Sequence, residues 1–258
     1  MNNLNLLFRR RIGIQEYEVI TFEKLDKVLE KTAKAIPFEN LCIMENRSIE
    51  ITKERIMSKI LEQNEGGLCY ELNAILYLFL KENNFSSTLI RAVVYDHMKQ
   101  QWSVTGNTHV ANLLTFDGQV YLVDTGFGGN LPLKPVPLNG KTVESKTGEF
   151  RVVQTDSEHG DYILYMKLKH KDEDWKIGYA FRSNEGFHDI TNLNEVQKII
   201  IEHPGSAFNK KPLITKITDK GNIILTESSF TEWKDGKMKK EEIDEKRFSK
   251  LRKGYFNL

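Results

Sequence analysis

Residues 72–80 are apolar almost all the way round a helical wheel, and this segment constrains the fold more than any other part of the chain. A helix without a polar face is buried, so other elements must pack around it. Gly66 and Gly67 interrupt the pattern that precedes it, and the helix is predicted to begin near Cys69. The chain is therefore predicted to fold around a buried helix whose N-terminal end carries a cysteine.

Two amphipathic helices are predicted upstream of this segment. Apolar residues recur at helical spacing over residues 21–36, where Thr21 can cap the start and Pro37 stops the helix. A second helix is predicted over about residues 54–63. These elements predict a helical bundle over residues 1–85.

The period of the apolar pattern changes after residue 84. Runs rich in β-favouring residues, separated by turn residues, occur at 88–95, 110–116, 119–125, 150–154, 162–169 and 175–181. A β-barrel-like region is therefore predicted over residues 86–192. Residues 193–258 are predicted to form a mixed α/β region with a helix at 194–202, strands at 213–218 and 222–227, and a charged helix from 241 to about 252. The predicted fold class is α+β.

The composition limits the compartment and the partners. The chain has 258 residues and a formal charge of +1, which provides no global field for attracting nucleic acid or an anionic membrane. No apolar run approaches the roughly 18 residues of a membrane span, and no leader pattern precedes the first helix. Cys42 and Cys69 are the two cysteines, and they have neither a metal-ligand nor a CxxC spacing. The sequence predicts a cytoplasmic protein with no metal site and with no nucleic-acid or membrane partner.

Cys69 is the candidate nucleophile. It follows two glycines at the predicted start of a helix, where free N–H groups and the helix dipole stabilise a thiolate. A free cysteine is also commonly a small buried hydrophobe, and the local sequence leaves that interpretation open. Cys42 lacks comparable flanking residues, so it is interpreted as a structural thiol.

The dipeptide Asp117-Gly118 predicts a two-residue hairpin turn between the runs at 110–116 and 119–125. Such a turn sets the register of the two strands and places Phe116 opposite Gln119. The pairing of every other residue along the hairpin follows from that register.

The same register brings His109 and Asp124 together. It places Ala111 opposite Asp124 and His109 opposite Gly126, so that the histidine and the aspartate are diagonal neighbours on one face. Diagonal Cα atoms lie about 7–8 Å apart, which the two side chains can bridge, and Gly126 would leave room for the ring. A histidine bonded to an aspartate is also a common structural pair, and this alternative stays open at this point.

A carboxylate that orients an imidazole next to a thiol is a general arrangement for nucleophilic catalysis. Cys69, His109 and Asp124 are therefore predicted to be nucleophile, base and orienting group. The remaining histidines have no comparable partner and are interpreted as surface or structural residues.

Five motifs, in the same order along the chain, resemble those of the arylamine N-acetyltransferases. They are Ile-Pro-Phe-Glu-Asn (36–40), Gly-Gly-Leu-Cys-Tyr-Glu-Leu-Asn (66–73), Thr-His-Val (108–110), Val-Asp-Thr-Gly-Phe-Gly (123–128) and His-Pro-Gly-Ser-Ala-Phe (203–208). The resemblance covers nearly the whole chain. It implies a papain-like Cys-His-Asp core on Cys69, His109 and Asp124, within a helical bundle, a β-barrel and an α/β lid.

The resemblance also implies a reaction and its substrates. An acetyl group would pass from acetyl-CoA to Cys69, and then to an arylamine, an arylhydroxylamine or a hydrazine. By the same resemblance, Phe38 and Phe127 would line the pocket of the aromatic acceptor. The backbone of Gly126, Phe127, Gly128 and Gly129 would approach the CoA pyrophosphate. From the residues alone, Phe38 could equally be a core residue, and the glycines could form a simple turn.

One position departs from the family pattern. Glu65 stands where the family usually has an arginine, which pairs with the acidic residue that matches Glu39. Two carboxylates there would repel unless a lysine, an arginine or a proton intervenes.

Three alternative functions remain. They are an amide synthase with a carrier-bound acyl donor, a Cys-His-Asp hydrolase of the papain or transglutaminase type, and a catalytically idle binding protein.

Overall fold

The computed structural model describes residues 3–258. Its helices are α1 Leu4–Ile12, α2 Leu25–Ala35, α3 Leu41–Met44, α4 Lys53–Met57, α5 Cys69–Glu82, α6 Leu193–Glu202 and α7 Glu245–Leu251. Its first strands are β1 Phe38–Glu39, β2 Ser86–Asp96, β3 Gln101–Trp102, β4 His109–Phe116, β5 Gln119–Val123, β6 Val136–Pro137 and β7 Val143–Glu144. The strands that follow are β8 Gly148–Ser157, β9 Gly160–Leu168, β10 Lys176–Phe181, β11 Leu213–Thr218, β12 Gly221–Thr226, β13 Ser229–Lys234 and β14 Lys237–Glu242. The α+β class predicted from the sequence is confirmed.

Helix α5 is buried as its composition predicts, and it begins at Cys69. Apolar side chains of α1, α2 and β4 join it in one core, in which Phe8 of α1 stacks on Phe79 at 4.4 Å between ring centroids. Helix α1 is not among the sequence predictions, although its apolar residues Leu4, Phe8 and Ile12 recur every fourth position. No helix within residues 3–258 is long and apolar enough to cross a bilayer.

The loop before α5 is held close to the end of α2. The predicted helix at 54–63 is α4 followed by a single π-helical turn, Ser58–Glu62, and the loop then carries two glycines. A Cβ atom on Gly66 would lie 2.2 Å from the carbonyl oxygen of Pro37, so only glycine fits there. This contact fixes the approach of the chain to Cys69.

The central sheet is antiparallel, with strand order β6-β5-β4-β2-β10-β9-β8-β7 and with β3 paired to β2. Strand β6 also contacts β8, so the sheet nearly closes into a barrel around an apolar core. The hairpin register is confirmed, because Phe116 pairs with Gln119 and Asn112 with Val123. Both turn residues, Asp117 and Gly118, have positive φ, as a two-residue turn of this type requires.

A second sheet has the strand order β1-β11-β12-β13-β14. Phe38 of β1 pairs with Thr215 of β11 and bridges to Gly67, so this sheet is tied to the loop that precedes α5. Helix α6, which belongs to the predicted third region, packs its Val196 and Ile200 into the helical core. The division of the chain at residues 85/86 and 192/193 stays a prediction.

The predicted charged helix from residue 241 is wrong in its first part. Residues Lys237–Glu242 form the edge strand β14, and helix α7 starts only after Asp244, whose side chain accepts from the N–H of Arg247 at 2.7 Å. Charged side chains are typical of an edge strand, since they discourage pairing with another chain.

Candidate active site

Cys69 is the first residue of α5, and its side chain lies at the bottom of a cleft with 5% of its surface exposed. The N–H of Leu68 donates to the Glu71 carboxylate at 2.9 Å, which holds the residue before Cys69 in place. The Cys69 Sγ atom lies 3.5 Å from the carbonyl oxygen of Thr108, next to the start of β4. The helix start and the barrel edge therefore meet at this thiol.

His109, the first residue of β4, contacts both of its predicted partners. Its Nε2 atom lies 2.8 Å from Oδ2 of Asp124, and the Cys69 thiol next to the ring contributes to the raised pKa of the imidazole. The thiol, the imidazole and the carboxylate are thus in direct contact.

The space beside Gly126 serves a different purpose from the one predicted. A Cβ there would meet Cys69 Cα and Asn73 Nδ2 at 2.6 Å, so the glycine makes room for α5.

The Asp124 carboxylate accepts four hydrogen bonds. Oδ2 accepts from His109 and from the Tyr179 hydroxyl at 2.9 Å. Oδ1 accepts from Asn73 Nδ2 at 2.8 Å and from the N–H of Gly126 at 2.7 Å. Burial raises the pKa of Asp124, but the charge and hydrogen bond of His109, then the other donors, outweigh it and lower the pKa. The aspartate is therefore held as a buried anion.

The imidazole is held in its charged form by this anion. Burial by itself lowers the pKa of His109, but the charge and hydrogen bond of Asp124, together with Cys69, raise the pKa to about 10. Near neutral pH the ring is then an imidazolium that can donate to the thiol group. This is the protonation state that favours a thiolate beside it.

The raised pKa of His109 predicts a pH-dependent contribution to stability. The contribution is complete below the unfolded-state pKa of about 6.5, declines as the pH rises, and is lost as the pH passes the folded-state value of about 10. The difference in unfolding free energy between the wild type and His109→Gln, from urea titrations at several pH values, should shrink over this range. In an Asp124→Asn background this decline should be absent, because burial by itself lowers the pKa of the ring. A difference that stays constant from about pH 6 to about pH 10 would contradict the raised pKa.

Asn73 and Tyr179 hold Asp124 and were not identified from the sequence. Asn73 lies one turn after Cys69, and this polar residue within an apolar helix was an available signal. It also donates to the carbonyl oxygen of Val110 at 2.7 Å, which ties α5 to β4. Tyr179 had no local signal, because the pairing of β10 with β2 is what brings it to the site.

The cleft above the thiol has a volume of about 500 Å³. Its walls include every residue that the sequence analysis assigned to the acceptor or to CoA, namely Phe38, Gly126, Phe127, Gly128 and Gly129. Phe127 packs against the His109 ring at 5.1 Å between centroids, and Phe208 packs edge-on against Phe38 at 5.6 Å. Within residues 3–258, no group of three or more His, Cys, Asp or Glu side chains could hold a metal ion.

Glu65 does not leave an unbalanced charge beside Glu39, because each of the two carboxylates forms an ion pair with a different cation. Arg47 lies 3.2 Å from Glu65, which also accepts from the Cys42 thiol at 3.3 Å. Lys59, only 3% exposed, lies between Glu71 at 2.5 Å and Glu39 at 3.7 Å. The cation that the sequence analysis required is therefore Lys59, from the π-helical turn that follows α4.

Burial has the largest effect on the pKa values of Glu39 and Cys42. It raises the pKa of Glu39, although the nearby charge of Lys59 opposes the shift. It also raises the pKa of the Cys42 thiol to about 12, with Lys59 again opposing. Cys42 is therefore a protonated, structural thiol near neutral pH.

Replacing Lys59 by methionine is expected to destabilise the fold by about 3–5 kcal/mol, because two buried carboxylates would lose their shared cation. The matched control is Lys53→Met, which removes a solvent-exposed ion pair with Glu82 and should change stability by at most about 1 kcal/mol. Urea unfolding of both variants measures the difference. Equal effects would mean that Lys59 is not the required cation.

Comparison with known proteins agrees with this architecture. The family model described as N-acetyltransferase matches residues 21–258. An uncharacterized acetyltransferase of Bacillus subtilis, YvcN, is 40% identical over 86% of this chain and 85% of its own length. An arylamine N-acetyltransferase from Bacillus cereus superposes with a TM-score of 0.94 at 41% identity, covering 100% of this chain and 99% of that one. A Mycobacterium marinum arylamine N-acetyltransferase solved with CoA shares the fold, with a TM-score of 0.83 at 21% identity and with coverage of 99% and 92%.

The fold and these similarities define an acyltransferase of the N-acetyltransferase class. More narrowly, the chain belongs to the arylamine N-acetyltransferase family. The Bacillus cereus enzyme is described as having a Cys-His-Glu catalytic triad. In the present chain, the carboxylate bonded to the histidine is an aspartate, Asp124.

Proposed function

We propose that this protein transfers the acetyl group of acetyl-CoA to the nitrogen of an arylamine, an arylhydroxylamine or a hydrazine, with Cys69 as the nucleophile. The observation that carries the proposal is the direct contact of Cys69, His109 and Asp124 at the bottom of a cleft lined by Phe38 and Phe127. Membership of the family supports the reaction class.

In the first half-reaction, the Cys69 thiolate attacks the thioester carbonyl carbon, and a new carbon–sulfur bond forms. The tetrahedral intermediate collapses, the bond to the CoA sulfur breaks, and His109 gives its proton to the leaving thiolate. Asp124 keeps the ring oriented throughout and stabilises its charged form. Cys69 then carries the acetyl group, and His109 is neutral.

In the second half-reaction, the amine nitrogen of the acceptor attacks the acetyl-cysteine. Neutral His109 takes the proton that the nitrogen loses, and the bond between carbon and Sγ breaks. The amide leaves, and the pair of Cys69 thiolate and His109 imidazolium is restored. The histidine thus returns to its starting state after each cycle.

Phe38 and Phe127 are the proposed contacts for the aromatic acceptor. Both line the cleft, and Phe127 lies against the imidazole that receives the proton of the acceptor. Edge-to-face and stacked contacts between rings favour a flat aromatic amine over an aliphatic one. Phe208, which packs against Phe38, extends this apolar wall.

The backbone at Gly126, Phe127, Gly128 and Gly129 is the proposed contact for the donor. Gly128 has a φ of +60°, and a Cβ on Gly129 would lie 2.8 Å from Nδ2 of Asn222. A side chain at either position would therefore be strained or would collide. An extended donor can approach this bare backbone along the cleft wall.

Intact-protein mass spectrometry after mixing with acetyl-CoA tests the proposal. One acetyl group should add to Cys69 and should then leave as N-acetylated product when an arylamine is supplied. Release of free acetate instead of the amide would indicate a hydrolase. Acylation only by a carrier-bound donor would indicate an amide synthase, and no adduct from any donor would indicate a binding protein.

The cellular setting follows from the sequence and remains a prediction. Both cysteines are free and buried, as the inferred reducing cytoplasm would maintain them. The near-zero net charge is the reason for expecting neither a nucleic-acid nor a membrane partner.

A further inference from the structure

Two loops touch each other at the surface of the cleft that contains Cys69. Val104, in the loop between β3 and β4, and Gly205, in the turn that follows α6, both line this cleft. A Cβ atom on Gly205 would lie 2.5 Å from Cγ2 of Val104, so the valine side chain rests on the backbone of the turn. Val104 is 54% exposed, whereas Cys69 is only 5% exposed. The contact between the loops is therefore at the mouth of the cleft, and the thiol lies deeper.

Hydrogen bonds hold the loop that carries Val104. The N–H of Ser103 donates to the carbonyl oxygen of Val94 at 2.8 Å, which anchors the loop to β2. The hydroxyl groups of Ser103 and Thr105, on either side of Val104, lie 2.8 Å apart. The Thr105 hydroxyl also lies 2.9 Å from that of Thr108, the residue before β4. Linked hydrogen bonds of this kind restrict the conformation of a loop, so the valine is held through both of its neighbours.

The turn that carries Gly205 is also held by hydrogen bonds. The N–H of Gly205 donates to Nδ1 of His203 at 3.0 Å. Behind the turn lies Asn40, which is only 2% exposed. Its Nδ2 atom donates to the carbonyl oxygen of Phe208 at 2.8 Å and to that of Lys211 at 2.9 Å. The turn therefore cannot recede from the valine without breaking these bonds.

The contact lies on the acceptor side of the cleft. Phe208, three residues after Gly205, packs against Phe38 and extends the wall proposed for the aromatic amine. The backbone proposed to approach the donor, residues 126–129, belongs instead to the segment after β5. An amine seated against the aromatic wall therefore lies beside the contact of Val104 with Gly205.

We propose that Val104 and Gly205 form a rigid constriction that sets the width of the amine acceptor, so that flat anilines without flanking substituents are preferred. The proposal rests on the proposed function, because it concerns the acceptor of that reaction. A branched valine has few rotamers and cannot easily swing aside. In a close-fitting apolar site, one additional methylene group changes kcat/KM by about 10- to 200-fold. A pair of fixed loops in contact can therefore discriminate between amines that differ only in width.

A competition between two amines tests the constriction without interference from the donor. The enzyme receives acetyl-CoA and an equimolar mixture of 4-methylaniline and 3,5-dimethylaniline, and the ratio of the two acetylated products gives the ratio of their kcat/KM values. Both amines carry their methyl groups away from the nitrogen, so their nitrogens have similar reactivity. Both also react with the same acetyl-enzyme, so any effect on its formation cancels. The wild type should favour the narrower 4-methylaniline.

Three variants and a control complete the test. Val104→Ala should shift the product ratio towards 3,5-dimethylaniline by about tenfold, and it should leave the fold intact because the valine is more than half exposed. Gly205→Ala should shift the ratio further towards 4-methylaniline, because its methyl group would press on Val104. Combining the two substitutions should reverse that shift. Val19→Ala, at an exposed valine outside the cleft, should leave the ratio unchanged.

The constriction is wrong if the wild type shows no preference for 4-methylaniline, or if the product ratio is unchanged in Val104→Ala. It is also wrong if Gly205→Ala shifts the ratio towards 3,5-dimethylaniline, since the loops would then yield. In each of these cases the amines are still acetylated, so the proposed function stands. If acetyl-CoA acetylates Cys69 but neither amine becomes acetylated, the proposed acceptor class is wrong and the constriction falls with it.

Discussion

Replacing Cys69 by serine is expected to lower the rate of acetyl transfer by at least about 10⁴-fold while the fold is retained. A serine hydroxyl is much less acidic than a thiol, so His109 would face a neutral alcohol in place of a thiolate. Sγ lies 3.5 Å from the carbonyl oxygen of Thr108, which is a long contact, so the smaller oxygen atom is accommodated. Steady-state acetylation of an arylamine measures the loss, and urea unfolding checks that the fold is intact.

Cys42→Ala is the matched control for this experiment. Cys42 is also buried and forms no disulfide. Its thiol donates a hydrogen bond to Glu65, and burial raises its pKa to about 12. The substitution should leave the rate of transfer nearly unchanged. An inactive Cys42→Ala variant together with an active Cys69→Ser variant would reverse the assignment of the nucleophile.

Asp124→Asn is expected to reduce acetyl-cysteine formation by about 10³- to 10⁴-fold. The four donors around this side chain all point to a carboxylate, and an amide would place its own N–H groups against some of them. The loss of charge would also remove the main cause that raises the pKa of His109. Rapid quenching of a single turnover with acetyl-CoA measures the step directly.

Two further substitutions separate charge from geometry at this site. Asp124→Glu keeps the charge but adds a methylene group, so it should misplace the imidazole and leave partial activity. Tyr179→Phe removes one of the four donors and keeps the charge, so its effect should be about tenfold or less. A wild-type rate of acetyl-cysteine formation in Asp124→Asn would contradict the triad.

The hairpin shows how far local sequence can determine a site. A two-residue turn at Asp117-Gly118 allows a single register, so Phe116 opposite Gln119 follows from counting. The paired ladder ends at Asn112 and Val123, and the contact of His109 with Asp124 lies just beyond it. The register was sufficient to predict which two side chains meet, because they are only 15 residues apart.

The C-terminal region shows where local pattern fails. The charged residues of β14 suit either an exposed helix or an edge strand, and the neighbouring strand β13 decides between them. Helix α6 has an amphipathic pattern that predicted its existence, but not its packing against the N-terminal core. In both cases the partner surface is distant in sequence.

The sequence by itself determined the buried helix α5, the position of Cys69 at its start, and the hairpin that carries His109 to Asp124. Each of these depends on neighbours in sequence, through helical periodicity or a tight turn. The tertiary structure alone decided that Tyr179 donates to Asp124 and that Lys59 pairs with Glu39 and Glu71. These contacts depend on which strands pair and how the sheets pack on the helices, and local periodicity does not specify those choices.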